Sequence, residues 1–359
     1  MKWLKKTLFF SGFFLISLSL NAQLSITGTV TDAKTGQTLP GVNVYLANTT
    51  IGASTNGQGA YQISNIPSGI YVLVFSFVGY KTRTFQVKNK NASSSRTIDM
   101  SLQPRIFEMD EANVTSSNKE WKENFERFRK AFIGQTTFAE NTTIENPWIL
   151  NFSNDDETNS LIATARQPLT IINKALGYKL YIELVEFKWS RYKDTGIYKI
   201  YPRYEPLKAK TNKQAQRWRR NRVKAYLGSF PHFLKSLYTN KLKQNNFSLT
   251  QRKNIVSVSS SEVKYELLQR GHIQLEIAGF KIDHPVRIAF DHTHSMHAPS
   301  GSVKIKVKKV GAIESNTNNG IFLVHNTAKL LDPASLILFG DWARTRVADS
   351  LPDNYEIRD

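Results

Sequence analysis

The stretch from Ile26 to Leu102 constrains this chain more than any other, because short alternating runs are cut there by turn residues every few positions. Ile26, Gly28 and Val30 alternate with Thr27, Thr29 and Thr31, the period-two pattern of a half-buried strand. Thr35-Gly36 and Pro40-Gly41 mark turns, since glycine enters φ > 0 without steric cost and proline presets φ. Val42, Val44 and Leu46 form the next inward set. Asn56-Gly57 reads as a tight turn ahead of Tyr61 and Ile63, and Pro67-Ser68-Gly69 turns the chain again. Tyr71 to Val78 is almost wholly apolar, which predicts a central strand covered on both faces. Several short strands joined by frequent turns predict a small sandwich or barrel.

A resemblance rests on these residues. Gly28-Thr29-Val30 and Leu39-Pro40-Gly41-Val42 open the block, followed by Thr55-Asn56 with Gly59 and Tyr61, then Pro67, Gly69 and Tyr71. Phe75-Ser76-Phe77-Val78-Gly79-Tyr80 ends it. In this order the motifs resemble the carboxypeptidase-regulatory-like domain, with Asn56 where that family often has Asp. The resemblance implies a seven-stranded, transthyretin-like β-sandwich over residues 23–103 that has no catalytic residues of its own. Similar domains precede outer-membrane nutrient receptors of the starch-utilisation type and many other envelope proteins.

Residues 1–22 read as a signal peptide: Lys2, Lys5 and Lys6 precede an apolar run from Leu8 to Leu20, with cleavage expected between Ala22 and Gln23. That run is short for a membrane span, which needs ~20 apolar residues. The expected address is therefore export, to the periplasm, the outer membrane or beyond, with no transmembrane segment in the mature chain. The sequence has no cysteine, so disulfides, thiolate metal sites and thiol nucleophiles are excluded.

Residues 104–119 read as a linker, with Pro104, an acidic patch and a Ser/Thr/Asn cluster in which Val114 is a candidate for one further strand. Residues 120–359 read as an α+β domain favouring antiparallel sheet. Its first helix places Trp121, Phe125, Phe128 and Phe132 on one face and stops at Gly134. Strand-like runs follow at 149–152, 160–165, 169–172 and 178–192. Helical spacing returns over 212–242, with Ser229 and Pro231 as a start signal, and strands dominate again from Ile255 to Phe339. Asn146-Pro147, Pro168-Leu169, Leu176-Gly177-Tyr178, Ala225-Tyr226-Leu227-Gly228-Ser229 with His232-Phe233, and Leu351-Pro352 with Tyr355 resemble a region that follows such sandwiches in secreted Gram-negative envelope proteins. No activity comes with that second resemblance.

Charge is the clearest physical signal. The chain carries +19, and removal of Lys2, Lys5 and Lys6 leaves +16. Fourteen Lys or Arg face a single acid, Glu205, between Arg203 and Lys253, a local balance of +13. Arg217, Trp218, Arg219, Arg220, Arg222 and Lys224 are the candidate residues for gripping an anionic surface, with Trp218 at the interface. Export disfavours nucleic acid, so an envelope protein, a glycan or an anionic lipid surface is the expected partner. The competing expectation is a solvated cationic face with Trp218 turned inward.

His292, His294 and His297 are the candidate metal ligands. If a strand runs to His294, the first two share a side, and a turn would bring His297 round as a third imidazole. No histidine is followed by Glu three residues on, so the His-x-x-Glu pair of a zinc carboxypeptidase is missing. No G-x-S-x-G nucleophile elbow is present either. The sequence thus predicts a non-catalytic binding or assembly protein without a cofactor. The alternatives are an accessory module of an outer-membrane TonB-dependent nutrient receptor, and a metal-assisted hydrolase using the 292–297 histidines.

Overall fold

The computed structural model describes residues 24–67, 69–89, 95–105, 118–192, 195–251, 254–255, 277–281, 285–298, 301–316, 321–325, 329–330 and 335–357. Val114 lies outside these. The first unit is a two-sheet sandwich of β1 (Leu24–Asp32), β2 (Asn43–Leu46), β3 (Gly52–Ser54), β4 (Ala60–Ile66), β5 (Gly69–Ser76), β6 (Arg83–Asn89), β7 (Arg96–Thr97) and β8 (Met100–Leu102). One sheet runs β4-β1-β7, with β8 also on β1; the other runs β3-β2-β5-β6. Ile26, Val30, Val44, Leu46, Ile63, Leu73, Phe75 and Val87 fill the space between, all essentially inaccessible. Each such side chain contributes ~1.5–3 kcal/mol by leaving water.

Eight strand segments stand where seven were expected, because the line parallel to β1 is broken at Ile98 and Asp99. There the Asp99 carboxylate accepts from the Thr29 amide at 2.7 Å, and the Tyr61 hydroxyl donates to the Ile98 carbonyl at 2.7 Å. The approach is so close that a Cβ on Gly28 would stand 2.1 Å from that carbonyl oxygen. At the Asn56 turn, the side-chain oxygen accepts from the amides of Gln58 (3.0 Å) and Ala60 (2.9 Å). Gly59, rather than Gly57, takes positive φ there, at +71°.

The second region opens with α1 (Asn118–Phe132), whose Phe128 and Phe132 lie on a six-stranded antiparallel sheet. That sheet comprises β9 (Thr142–Ile144), β10 (Leu150–Asp155), β11 (Ser160–Ala165), β12 (Leu169–Asn173), β13 (Tyr178–Ser190) and β14 (Gly196–Pro206), in the order β10-β11-β13-β12-β9 with β14 also on β13. Phe128 meets Phe187 at a ring separation of 4.8 Å, so the predicted helix face closes this core. Next come α2 (Asn212–Tyr226) and α3 (Phe230–Tyr238). Ser229 caps α3, accepting from the His232 amide at 3.2 Å, with Pro231 in the first turn.

The remaining strands are β15 (Phe247–Gln251), β16 (Asn254–Ile255), β17 (Ile277–Lys281), β18 (Val286–Ala298), β19 (Gly301–Ser315), β20 (Ile321–His325) and β21 (Leu336–Gly340), before the short α4 (Asp341–Arg344). They form a sheet in the order β16-β15-β18-β19-β21 and a separate β17–β20 pair. Val223, Leu227, Phe233 and Leu237 of the helical segment pack with Phe247, Ile288, Phe290 and Ile305 in a core distinct from the one under α1.

The sandwich is docked against β14. Asn48 donates its amide to Pro202 (2.7 Å), Tyr204 donates to Thr49 (2.9 Å), and the Tyr45 hydroxyl donates to the Tyr201 carbonyl (2.9 Å). Val74, Tyr45 and Ala47 are buried there beside Val72 and Tyr201. The near-continuous apolar run of β5 is thereby explained: Leu73 and Phe75 face the sandwich core, while Val72 and Val74 face β14. Glu183 of β13 accepts from the hydroxyls of Ser76 and Thr82 across this junction, and burial raises its pKa.

Candidate functional site

The basic helix α2 has two faces with different tasks. Trp218 is 5% exposed and donates its indole N–H to the Lys174 carbonyl at 2.8 Å. Asn221 donates to the Ala175 carbonyl at 2.8 Å; Arg222 donates to Leu176 (2.7 Å) and Gly177 (3.0 Å), with its guanidinium 4.1 Å from the Tyr178 ring centroid. Four successive carbonyls of the β12–β13 turn are thus satisfied by one helix face, which is what buried backbone acceptors require. Gly177 holds φ +71° beneath the indole, where a Cβ would lie 2.3 Å from the Trp218 ring. Trp218 and Arg222 are therefore corrected from surface-binding candidates to structural clamps. Arg217 and Lys224 are exposed, and Arg219 and Arg220 are partly so.

The histidine expectation divides. His292 and His294 lie on the inward row of β18 with Ile288, Phe290 and Met296, their ring centroids 6.3 Å apart. The Nδ1 of His292 lies 3.1 Å from the Asn246 amide nitrogen, and the Nε2 of His294 is buried with no hydrogen-bond partner among the described residues. However, β18 continues unbroken to Ala298, with His297 opposite Ser302. The turn needed to bring His297 round does not exist, because the strand runs on through it. The three-imidazole arrangement is corrected accordingly; among the described residues no three His, Cys, Asp or Glu groups are placed to hold one ion. His232, also in this region, accepts from the Gly228 amide through Nδ1 at 3.1 Å and packs against Phe247 and Phe290. Burial pushes its pKa down to about 4, so it is neutral and structural.

A cleft of ≈ 1850 Å³ lies where the sandwich, α3, β19 and the chain after α4 converge. Its lining holds eight Lys or Arg against four Asp or Glu. Lys309 is the unusual member. It occupies the inward row of β19, between Val307 and Gly311, where its neighbours in phase are buried. Its ammonium donates to the Ala225 carbonyl at the C-terminal end of α2, at 3.0 Å, a position favourable to a cation. Burial lowers its pKa to about 8, partly opposed by the negative charges of Asp349 and Asp341. Asp349 is itself pushed up by burial, and Asp353 pairs with Lys329. The sequence hid this residue, since Lys309 stands in the alternating run Lys304-Ile305-Lys306-Val307-Lys308-Lys309 as one lysine among several. Its parity with Ile305 and Val307 was the available signal.

Comparison with known proteins bears on the first unit. The CarboxypepD_reg-like domain family matches residues 26–114. TonB-dependent receptor P39 of Formosa agariphila is 35% identical over 96 residues, 27% of this chain and 9% of the receptor. TonB-dependent receptor P3 of the same organism is 32% identical over 83 residues, 23% of this chain and 8% of that receptor. The chain thus spans under a tenth of the length of either. Among solved structures, a chain from a type II cohesin–X-dockerin complex of Acetivibrio cellulolyticus aligns at 15% identity over 28% of this chain and 71% of that one, with a TM-score of 0.20, too low to carry an argument. No helix among the described residues is long and apolar enough to cross a membrane. Residues 26–114 are therefore a CarboxypepD_reg-like domain, similar in sequence to regions of TonB-dependent receptors, and the chain is a mostly β protein built on that domain.

Proposed function

We propose that this chain is an exported, non-catalytic binding or assembly module of the bacterial envelope, working as an accessory to an outer-membrane TonB-dependent receptor. The observation that supports it is the 35% identity of the sandwich region to part of such a receptor. Here the sandwich buries one sheet face against a second region, and the two frame a cleft, an arrangement suited to presenting a ligand site on a rigid support. The test is isolation from the native envelope after cross-linking. The chain should fractionate with the envelope, begin at or near Gln23, and bring a receptor with it. Recovery from the cytoplasm with Met1 intact would refute the reading.

The local balance of +13 between Arg203 and Lys253 favours a second reading, attachment to an anionic envelope surface by charge. With Trp218 and Arg222 committed to the β12–β13 turn, the contact would fall to Arg217, Arg219, Arg220 and Lys224. Such attraction is screened over ~8 Å at physiological ionic strength, so sedimentation with anionic vesicles should fall steeply as salt is added. Binding indifferent to salt would rule this mode out.

A further inference from the structure

We propose that the cleft beside α3 and β19 is a binding site for an acidic oligosaccharide, with Lys309 on its inner wall and Lys235 and Arg344 at its exposed margin. This rests on the binding-module reading and names the ligand class. Three observations carry it.

The first is the placement of Lys309. The inward row of β19 reads Ile305, Val307, Lys309, Gly311, Ile313, and a cation in such a row loses hydration that a single carbonyl only partly replaces. The Ala225 carbonyl uses one of three ammonium donors, so the remaining two can serve an anion in the cleft.

The second is the charge of the walls. Eight cationic against four acidic lining side chains leave a balance of +4. Three of the four acids are already engaged, Asp353 with Lys329, Asp341 with the Val310 amide at 2.8 Å, and Asp349 with the Arg346 amide, while Glu356 is exposed. Lys235 and Arg344 are exposed at the margin. A concave site with a net excess of one sign concentrates the opposite charge.

The third is size and the aromatic lining. A cleft of ≈ 1850 Å³ exceeds the ~300–1,000 Å³ of ordinary small-molecule sites and suits a chain of several rings. Tyr71, Tyr226, Phe230 and Tyr355, all half-buried, line it and give it apolar surface against which sugar rings can pack. A planar lipid surface can reach Lys235 and Arg344 but not Lys309.

The experiment is calorimetric titration of the full chain with hexagalacturonate, maltohexaose as its neutral counterpart, and phosphatidylglycerol vesicles. Hexagalacturonate should bind at least tenfold more tightly than maltohexaose, and Lys235→Gln and Arg344→Gln should each weaken it several-fold. Lys309→Met should weaken it at least tenfold. Bound hexagalacturonate should protect Lys309 from acetylation at pH 8, read by mass spectrometry; a merely structural lysine would show no ligand-dependent protection. If Lys309→Met fails to fold, the two margin variants and the protection assay still decide. Equal binding of maltohexaose, no binding of hexagalacturonate at low salt, or binding of vesicles alone would overturn the proposal. None of these outcomes would touch the envelope address, which fractionation tests separately.

Discussion

Replacement of Lys309 by methionine tests whether this buried amine is an electrostatic burden on the fold. The side chain has an ordinary pKa of 10.5 and one of about 8 in the folded protein. Between these values the unfolded chain holds a proton that the folded chain has released, so the contribution of Lys309 to stability rises with pH across that window. At pH 7 both states are protonated and the burden is full: the gap between 10.5 and about 8, at about 1.36 kcal/mol for each step of one, amounts to about 3 kcal/mol. At pH 10 it has fallen to about 1 kcal/mol. Methionine fills a similar volume and titrates nowhere, but it leaves the Ala225 carbonyl without its donor, a loss of about 1 kcal/mol that does not vary with pH. Relative to the parent, the variant should therefore be more stable at pH 7 by about 2 kcal/mol and should lose about 2.5 kcal/mol of that advantage by pH 10. Urea unfolding of both proteins at the two pH values measures this directly, because other titrating groups cancel in the difference. A variant-minus-parent difference that stays constant from pH 7 to 10 would show that Lys309 titrates normally, and the argument from its burial would fail.

Trp218→Ala should cost about 3–5 kcal/mol and lower the melting temperature, because the indole fills the space over Gly177; unchanged melting would return Trp218 to the surface-binding set. Gly177→Ala should also destabilise strongly, since the new Cβ meets the Trp218 ring at 2.3 Å and φ is +71°. The fragment 23–103 should fold alone with a cooperative, β-type circular dichroism melt. With Tyr45, Val72 and Val74 uncovered, it should also self-associate as concentration rises, and a disordered spectrum would contradict the modular reading. The purified protein should hold much less than one zinc per chain. Stoichiometric zinc released by His292→Ala with His294→Ala would revive the hydrolase reading.

Local chemistry in the sequence determined the sandwich strands, the cap of α3 by Ser229, the aromatic face of α1 and the strand character of 160–165 and 169–172. Each depends on alternation, turn residues or capping within a few positions, and those preferences act wherever the segment ends up. The sequence also carried the family resemblance placed on residues 23–103, which the family match sets at 26–114, and with it the relation to TonB-dependent receptor regions. What α2 does with its arginines was not legible. Charge density between Arg203 and Lys253 says nothing about which side chains meet distant carbonyls, and Trp218 and Arg222 reach back more than 40 residues to the β12–β13 turn. The reading of His297 failed for a related reason: a strand that could have turned after His294 is held straight to Ala298 by its pairing with β19, a cross-strand contact no local pattern encodes. Tertiary structure alone put Lys309 against the end of α2, covered the outer face of β5 with β14, and brought α3, β19 and the segment after α4 around one cleft. Burial and the low dielectric that follows from it exist only after the chain is assembled, so the altered acidity of Lys309, Glu183 and His232 belongs to the fold and not to the sequence.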